Sequence, residues 1–158
     1  MTYRFYLQPV DMDGNTGTAV SIEDSFSGLH YRYCKGLETE GEVKNVYTED
    51  YPEANGLRVF HPTDAESEVH HKETEIELCV LFEGNSRRDE FNRFRELLNS
   101  SRLYYWDTAR HKKALLVLTS MTEPTEDVIK GLEYIDVAFK FKNVWGITKN
   151  CGDDGTEL

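Results

Sequence analysis

The sequence predicts a mainly β protein, a β-sandwich or partly open β-barrel, flanked by one α-helix over about residues 86–99. Three observations carry this reading. Apolar and polar residues alternate strictly in several stretches, most cleanly in Glu133–Lys142, where Ile135, Val137, Phe139 and Phe141 alternate with Tyr134, Asp136, Ala138 and Lys140. Aromatic residues make up 12% of the chain, a composition suited to strands. Phe91, Phe94, Leu97 and Leu98 recur at helical spacing and build one apolar stripe, and no other stretch reads as a long helix.

The elements follow in order. Tyr3, Phe5 and Leu7 alternate with Arg4, Tyr6 and Gln8 as an opening strand, and Asp11–Gly17 reads as a turn. Leu29, Tyr31 and Tyr33 alternate with His30, Arg32 and Cys34 as a second strand. Val43–Tyr47 and Leu57–Phe60 are shorter strands around Thr48–Gly56, an acidic loop or hairpin tip carrying Pro52, Asn55 and Gly56. Pro62–Glu68 is a second acidic loop. Glu73–Phe82 is a long strand with Ile76, Leu78, Val80 and Phe82 on one face. In the helix Ser86–Asn99, Ser86 is placed to cap the N-terminus and Asp89 to return a hydrogen bond to it. Strands Leu103–Trp106 and Lys113–Met121 come next, joined by the polar hairpin turn Asp107–Lys113. Thr122–Asp127, with Pro124, reads as a polar connection to the last strand.

At 158 residues the chain is long enough to bury a core, and its organisation reads as one β-rich domain, residues 1–150. Residues 151–158 hold two glycines and three acids, and read as a disordered acidic tail. Eighteen basic against 29 acidic residues give a formal charge of −11. That surface opposes nucleic acid, whose binding relies on Lys and Arg replacing counterions, and it opposes anionic membranes. No secretory signal is visible, and no stretch approaches the roughly 18–20 apolar residues needed to span a bilayer. The expected location is therefore cytoplasmic.

Candidate sites fail on spacing. Asp11-Met12-Asp13-Gly14-Asn15 resembles the opening of a calcium loop, but Thr16 stands where the loop needs glycine and Ile22 where it needs glutamate. His70 and His71 are adjacent and would face opposite sides of a strand, while His61 stands apart. His30 and Cys34 could share a face, two ligands where zinc needs three or four. Cys34, Cys79 and Cys151 form no ligand pair or disulfide framework, and Cys79 reads as a small buried hydrophobe. Asp107, Arg110 and His111 could form an acid–base group, but read more simply as turn residues. No nucleophile elbow, P-loop or dinucleotide fingerprint occurs. The expected sets of catalytic, cofactor-binding and metal-binding residues are empty. Leu103-Tyr104-Tyr105-Trp106 could stack on a sugar, which keeps a carbohydrate-binding module as an alternative.

One resemblance bears on function. The strand ending Val80-Leu81-Phe82-Glu83-Gly84, the helix with Asp89-Glu90-Phe91-Asn92-Arg93-Phe94, the strand Leu103-Tyr104-Tyr105-Trp106-Asp107, the hairpin to Ala114–Thr119 and the long strand through Phe139 and Phe141 resemble phage tail proteins of the tail-tube or distal-tail type. The resemblance covers about half the chain and rests on pattern. It implies a small β-sandwich or barrel with one helix. It also implies a non-catalytic structural role in rings built from copies of the chain and other tail proteins, ending in the virion. Acidic residues lining such a ring would repel DNA passing through it.

The metal reading gives a direct expectation. The purified protein holds neither zinc nor calcium, and elemental analysis after dialysis, or a melting temperature unmoved by chelator, checks it.

Overall fold

The computed structural model describes residues 5–42, 47–50, 57–60, 71–100, 102–129 and 132–158. The chain runs β1 (Phe5–Val10), β2 (Val20–Ser21), α1 (Ile22–Ser25), β3 (Leu29–Lys35), β4 (Tyr47–Asp50), β5 (Leu57–Phe60), β6 (Thr74–Glu83) and α2 (Arg87–Ser100). It continues as β7 (Arg102–Asp107), β8 (Lys112–Met121), β9 (Thr125–Ile129), β10 (Leu132–Asn143) and β11 (Lys149–Asn150). Nine strands form one antiparallel sheet in the order β2-β1-β7-β8-β10-β6-β3, with β11 paired to β8 and β9 to β10. β4 and β5 form a separate two-stranded hairpin.

The sheet is open but strongly curled. In a flat sheet, five strand spacings would hold β1 and β3 roughly 24 Å apart. The rings of Phe5 on β1 and Tyr31 on β3 instead lie 6.1 Å apart. Arg110, in the β7–β8 turn, likewise reaches across to donate to the Cys34 carbonyl on β3 at 3.3 Å. Register shifts between Tyr31 and Tyr33 on β3, and between Lys140 and Phe141 on β10, supply local bends.

The concave face is apolar because every second residue of each strand points there. Ile135, Val137, Phe139 and Phe141 of β10, and Ile76, Leu78, Val80 and Phe82 of β6, are all buried. α2 closes this face. Phe91, Phe94 and Leu98 are buried and Leu97 packs against the cluster, as the helical spacing predicts. Phe94 meets Phe26, Phe82 and Phe139 at 5.6, 5.7 and 5.3 Å, each in a tilted or edge-on geometry. The Ser86 carbonyl accepts the first helical hydrogen bond, from Glu90, which places Ser86 at the N-cap position.

Most strands match their sequence boundaries within a residue or two. The connection Thr122–Asp127 is shorter than expected, because Thr125 onward pairs with β10 as β9. Short alternation in Thr-Glu-Asp-Val-Ile, without a strong apolar face, hides this strand from periodicity. Residues 151–158, expected as a disordered tail, instead fold back as a strap. Cys151 bridges Glu157, the Leu158 amide donates to Asn150, and Gly155 lies against Trp106. The composition of the strap misleads because its hold comes from one aromatic face and not from apolar residues of its own. Tyr3 of the first strand, most of Val43–Tyr47, residues 51–56 of the first acidic loop and the whole second acidic loop lie outside the described residues.

The closure of the sheet by α2 predicts a large cost for removing it. Phe94→Ala should lose about 3–5 kcal/mol in urea unfolding, and Phe94→Asp should leave no cooperative transition, since it also buries a charge.

Candidate functional site

The residues that invited a chemical reading are occupied structurally. Asp11 Oδ1 accepts from the amides of Asp13 and Asn15 at 2.9 and 2.8 Å, closing the turn on itself. These backbone bonds hold the Asp11 carboxyl below its ordinary range. Asp107 is fully buried and accepts from the amides of Arg110 and His111, so it organises the β7–β8 turn. His111 takes a left-handed φ of 54° there. His30 pairs with Glu83 at 2.8 Å, and His71 Nδ1 lies 2.9 Å from the Gly41 carbonyl. His61 and His70 lie outside the described residues. No cluster of three metal-ligating side chains occurs among the described residues.

Sequence reasoning missed Glu90. It is buried at the start of α2, and its carboxylate accepts from Ser27 Oγ at 3.1 Å and from the Gly28 amide at 3.1 Å. Gly28 is required there, because a Cβ would lie 2.3 Å from the Glu83 carbonyl oxygen. A charge in the first turn of a helix reads as a solvated, dipole-favoured residue, so nothing in the spacing marks it as a cross-link to β3.

Two further features stand out. The first is a pair of sheet edges. β9, β10, β6 and β3 lie side by side, with Glu126, Ile135, Phe82 and Leu29 in one row. Among the described residues β3 and β9 are each paired on one side only. β9 is held against α2 by Arg87, which pairs with Glu126 at 3.0 Å and Glu133 at 2.7 Å, and by Arg88, which also pairs with Glu126.

The second is the aromatic face of β1 and β7. Tyr6 stacks on Trp106 at 5.4 Å and 12°, and Tyr104 meets Trp145 at 5.7 Å. Lys113 Nζ lies 4.3 Å from the Tyr104 ring, and Lys149 lies 4.1 Å from that of Trp145. Trp106 is only 3% exposed because the strap covers it. No helix of the described residues is long and apolar enough to cross a membrane.

Comparison with known proteins gives a fold. No protein family and no curated protein matches the sequence. Among solved structures, a chain of the phage P2 baseplate in its activated conformation with calcium superposes with a TM-score of 0.57 at 15% identity, over 89% of this chain and 44% of that one. The same baseplate with strontium gives 0.54 at 16% identity, over 88% and 44%. SPP1 Dit, described as a paradigm of the hub adsorption apparatus in phages infecting Gram-positive hosts, gives 0.51 at 11% identity, over 92% and 52%. This chain thus spans about half the length of the phage proteins whose fold it shares.

The three thiols are buried and free. Burial pushes Cys34 up to about 12, and burial with the neighbouring Asp136 carboxylate pushes Cys79 up to about 11. A thiol raised in the folded state stabilises it below the ordinary value of 9.0, and that contribution is lost as pH climbs towards the raised value. Native protein at pH 8 should therefore resist thiol reagents that label all three cysteines in denaturant. Its stability should fall between about pH 9 and 12, and Cys34→Ala should flatten that fall in a pH series of urea melts.

Proposed function

We propose that this protein is a structural, non-catalytic subunit of a phage or prophage tail, of the tail-tube or distal-tail type, that assembles into rings with itself and joins other tail proteins. The observation that carries the reading is the shared fold with the P2 baseplate chain and SPP1 Dit over about nine-tenths of this chain. The occupied state of Asp107, Asp11 and Glu90 supports a structural role, since each carboxylate already serves the backbone. The subunit would assemble in the host cytoplasm and end in the virion. Its excess of carboxylates would keep a ring from gripping DNA.

Ring formation has a physical route. The four strands β9, β10, β6 and β3 alternate in direction, so β3 of one copy set beside β9 of the next continues the sheet antiparallel. Such a contact is head-to-tail, and it closes when the rotation allows. The hairpin β4–β5 is a further contact element, because two strands alone are marginal without a surface to pack on. The acidic loops beside it are candidate contact or bore segments. A glycan platform at Tyr104–Trp106 is disfavoured, because the strap covers Trp106 and Lys113 lies over Tyr104.

Concentrated protein imaged in negative stain should show rings. Asp127→Lys sets a lysine on the β9 edge, and edge lysines oppose the addition of a further strand, so it should weaken assembly by about tenfold or more with an unchanged melting temperature. Rings unaffected by this change would exclude the β3–β9 contact.

A further inference from the structure

The strap is built like a bound peptide. Its turn is shaped from within, as the Gly152 amide donates to the Thr156 carbonyl and Asp154 Oδ1 accepts from the Thr156 amide at 3.0 Å. Gly155 adopts a left-handed φ of 82°, and a Cβ there would lie 2.6 Å from the Trp106 ring, so only glycine fits that subsite. Trp106 is fixed from behind by Tyr6, and its Nε1 donates to the Asp153 carbonyl at 3.3 Å. Lys113 Nζ donates to the Gly155 carbonyl at 3.0 Å, and His111 Nε2 lies 2.8 Å from Asp153 Oδ1. Lys149 lies 3.6 Å from Glu157. The receiving face is thus aromatic and basic, and the seated segment is acidic and centred on glycine.

The inner residues Cys151 and Gly155 are buried, while the outer side of the strap faces solvent. Asp153, Asp154, Thr156, Glu157 and Leu158 are exposed, and Leu158 is 90% exposed. The strap meets the rest of the chain through the Trp106 ring face, contacts from His111, Lys113 and Lys149, and the backbone bonds Cys151–His111 and Leu158–Asn150, a set small enough to open locally without unfolding the sheet. Opening uncovers Trp106, and tryptophan is enriched among the residues that dominate interfaces.

We propose that the face formed by Trp106, His111 and Lys113 is a recognition site for an acidic, glycine-centred peptide turn, filled in cis by residues 152–157 and open to exchange with the same segment of a second copy. The choice of a second copy rests on the assembly reading above, since only a crowded array of copies competes with the high effective concentration of a tethered strap. The complementarity of strap and face does not depend on that reading.

The test uses full-length chains. Isotope-labelled Gly155→Val protein cannot seat its own strap, and the Trp106 indole N–H resonance should shift and exchange faster with solvent. Adding unlabelled Lys113→Glu protein, whose strap is intact and whose own face is disabled, should return that resonance saturably towards its wild-type position. The doubly substituted donor, Lys113→Glu with Gly155→Val, should not. Where Gly155→Val fails to fold, Asp153→Lys provides the unseated strap. No return with a folded acceptor, or an equal return with the double variant, would overturn the proposal. Exchange is read on the isolated protein, so its failure is distinct from absence of the chain from tail particles, which bears only on the tail reading.

Discussion

The fold depends on the seat of Phe94. This side chain, fully buried on α2, touches Phe26 ahead of β3, Phe82 on β6 and Phe139 on β10. A sheet curled until β1 faces β3 encloses a concave apolar surface that its own strands cannot fill. The helix supplies the missing volume, and its first turn sets where the surroundings end. Glu90 anchors the turn into β3 through Ser27 and Gly28, and Arg87 and Arg88 anchor β9. The two open sheet edges are therefore placed by the same helix that seals the core.

The parts of this fold legible in the sequence are those where one periodic signal dominates. β10 and β6 are read correctly because burial on one face imposes alternation on ten or more residues. α2 is read correctly because its apolar spacing is helical and its cap residue is in place. The misreadings share a cause. β9 is short and polar, and the strap carries almost no apolar side chain, so periodicity marks neither. Glu90 was invisible for the same reason: its partners are 62 and 63 residues away. The candidate surface divides likewise. Tyr104 and Trp106 stand out in the sequence, but the glycine that covers Trp106 does not, since its fit depends on a turn that composition cannot specify.

Catalysis and assembly place different demands on a sequence. A catalytic centre requires particular side chains converging on a reacting atom, whereas Asp11 and Asp107 accept from the backbone amides of their own turns. An assembly subunit requires edges, direction and charge placed by a fold, and many sequences satisfy those demands. Identities of 11–16% over about nine-tenths of the chain show how little sequence this fold requires.

The most direct measurement is immunogold labelling of purified phage particles from the host, using an antibody to this chain. A tail subunit predicts gold on the tail, along its length for a tube subunit or confined to the end that carries the baseplate for a distal one. Particles that carry no label, while the same antibody detects the chain free in the lysate, would contradict the account.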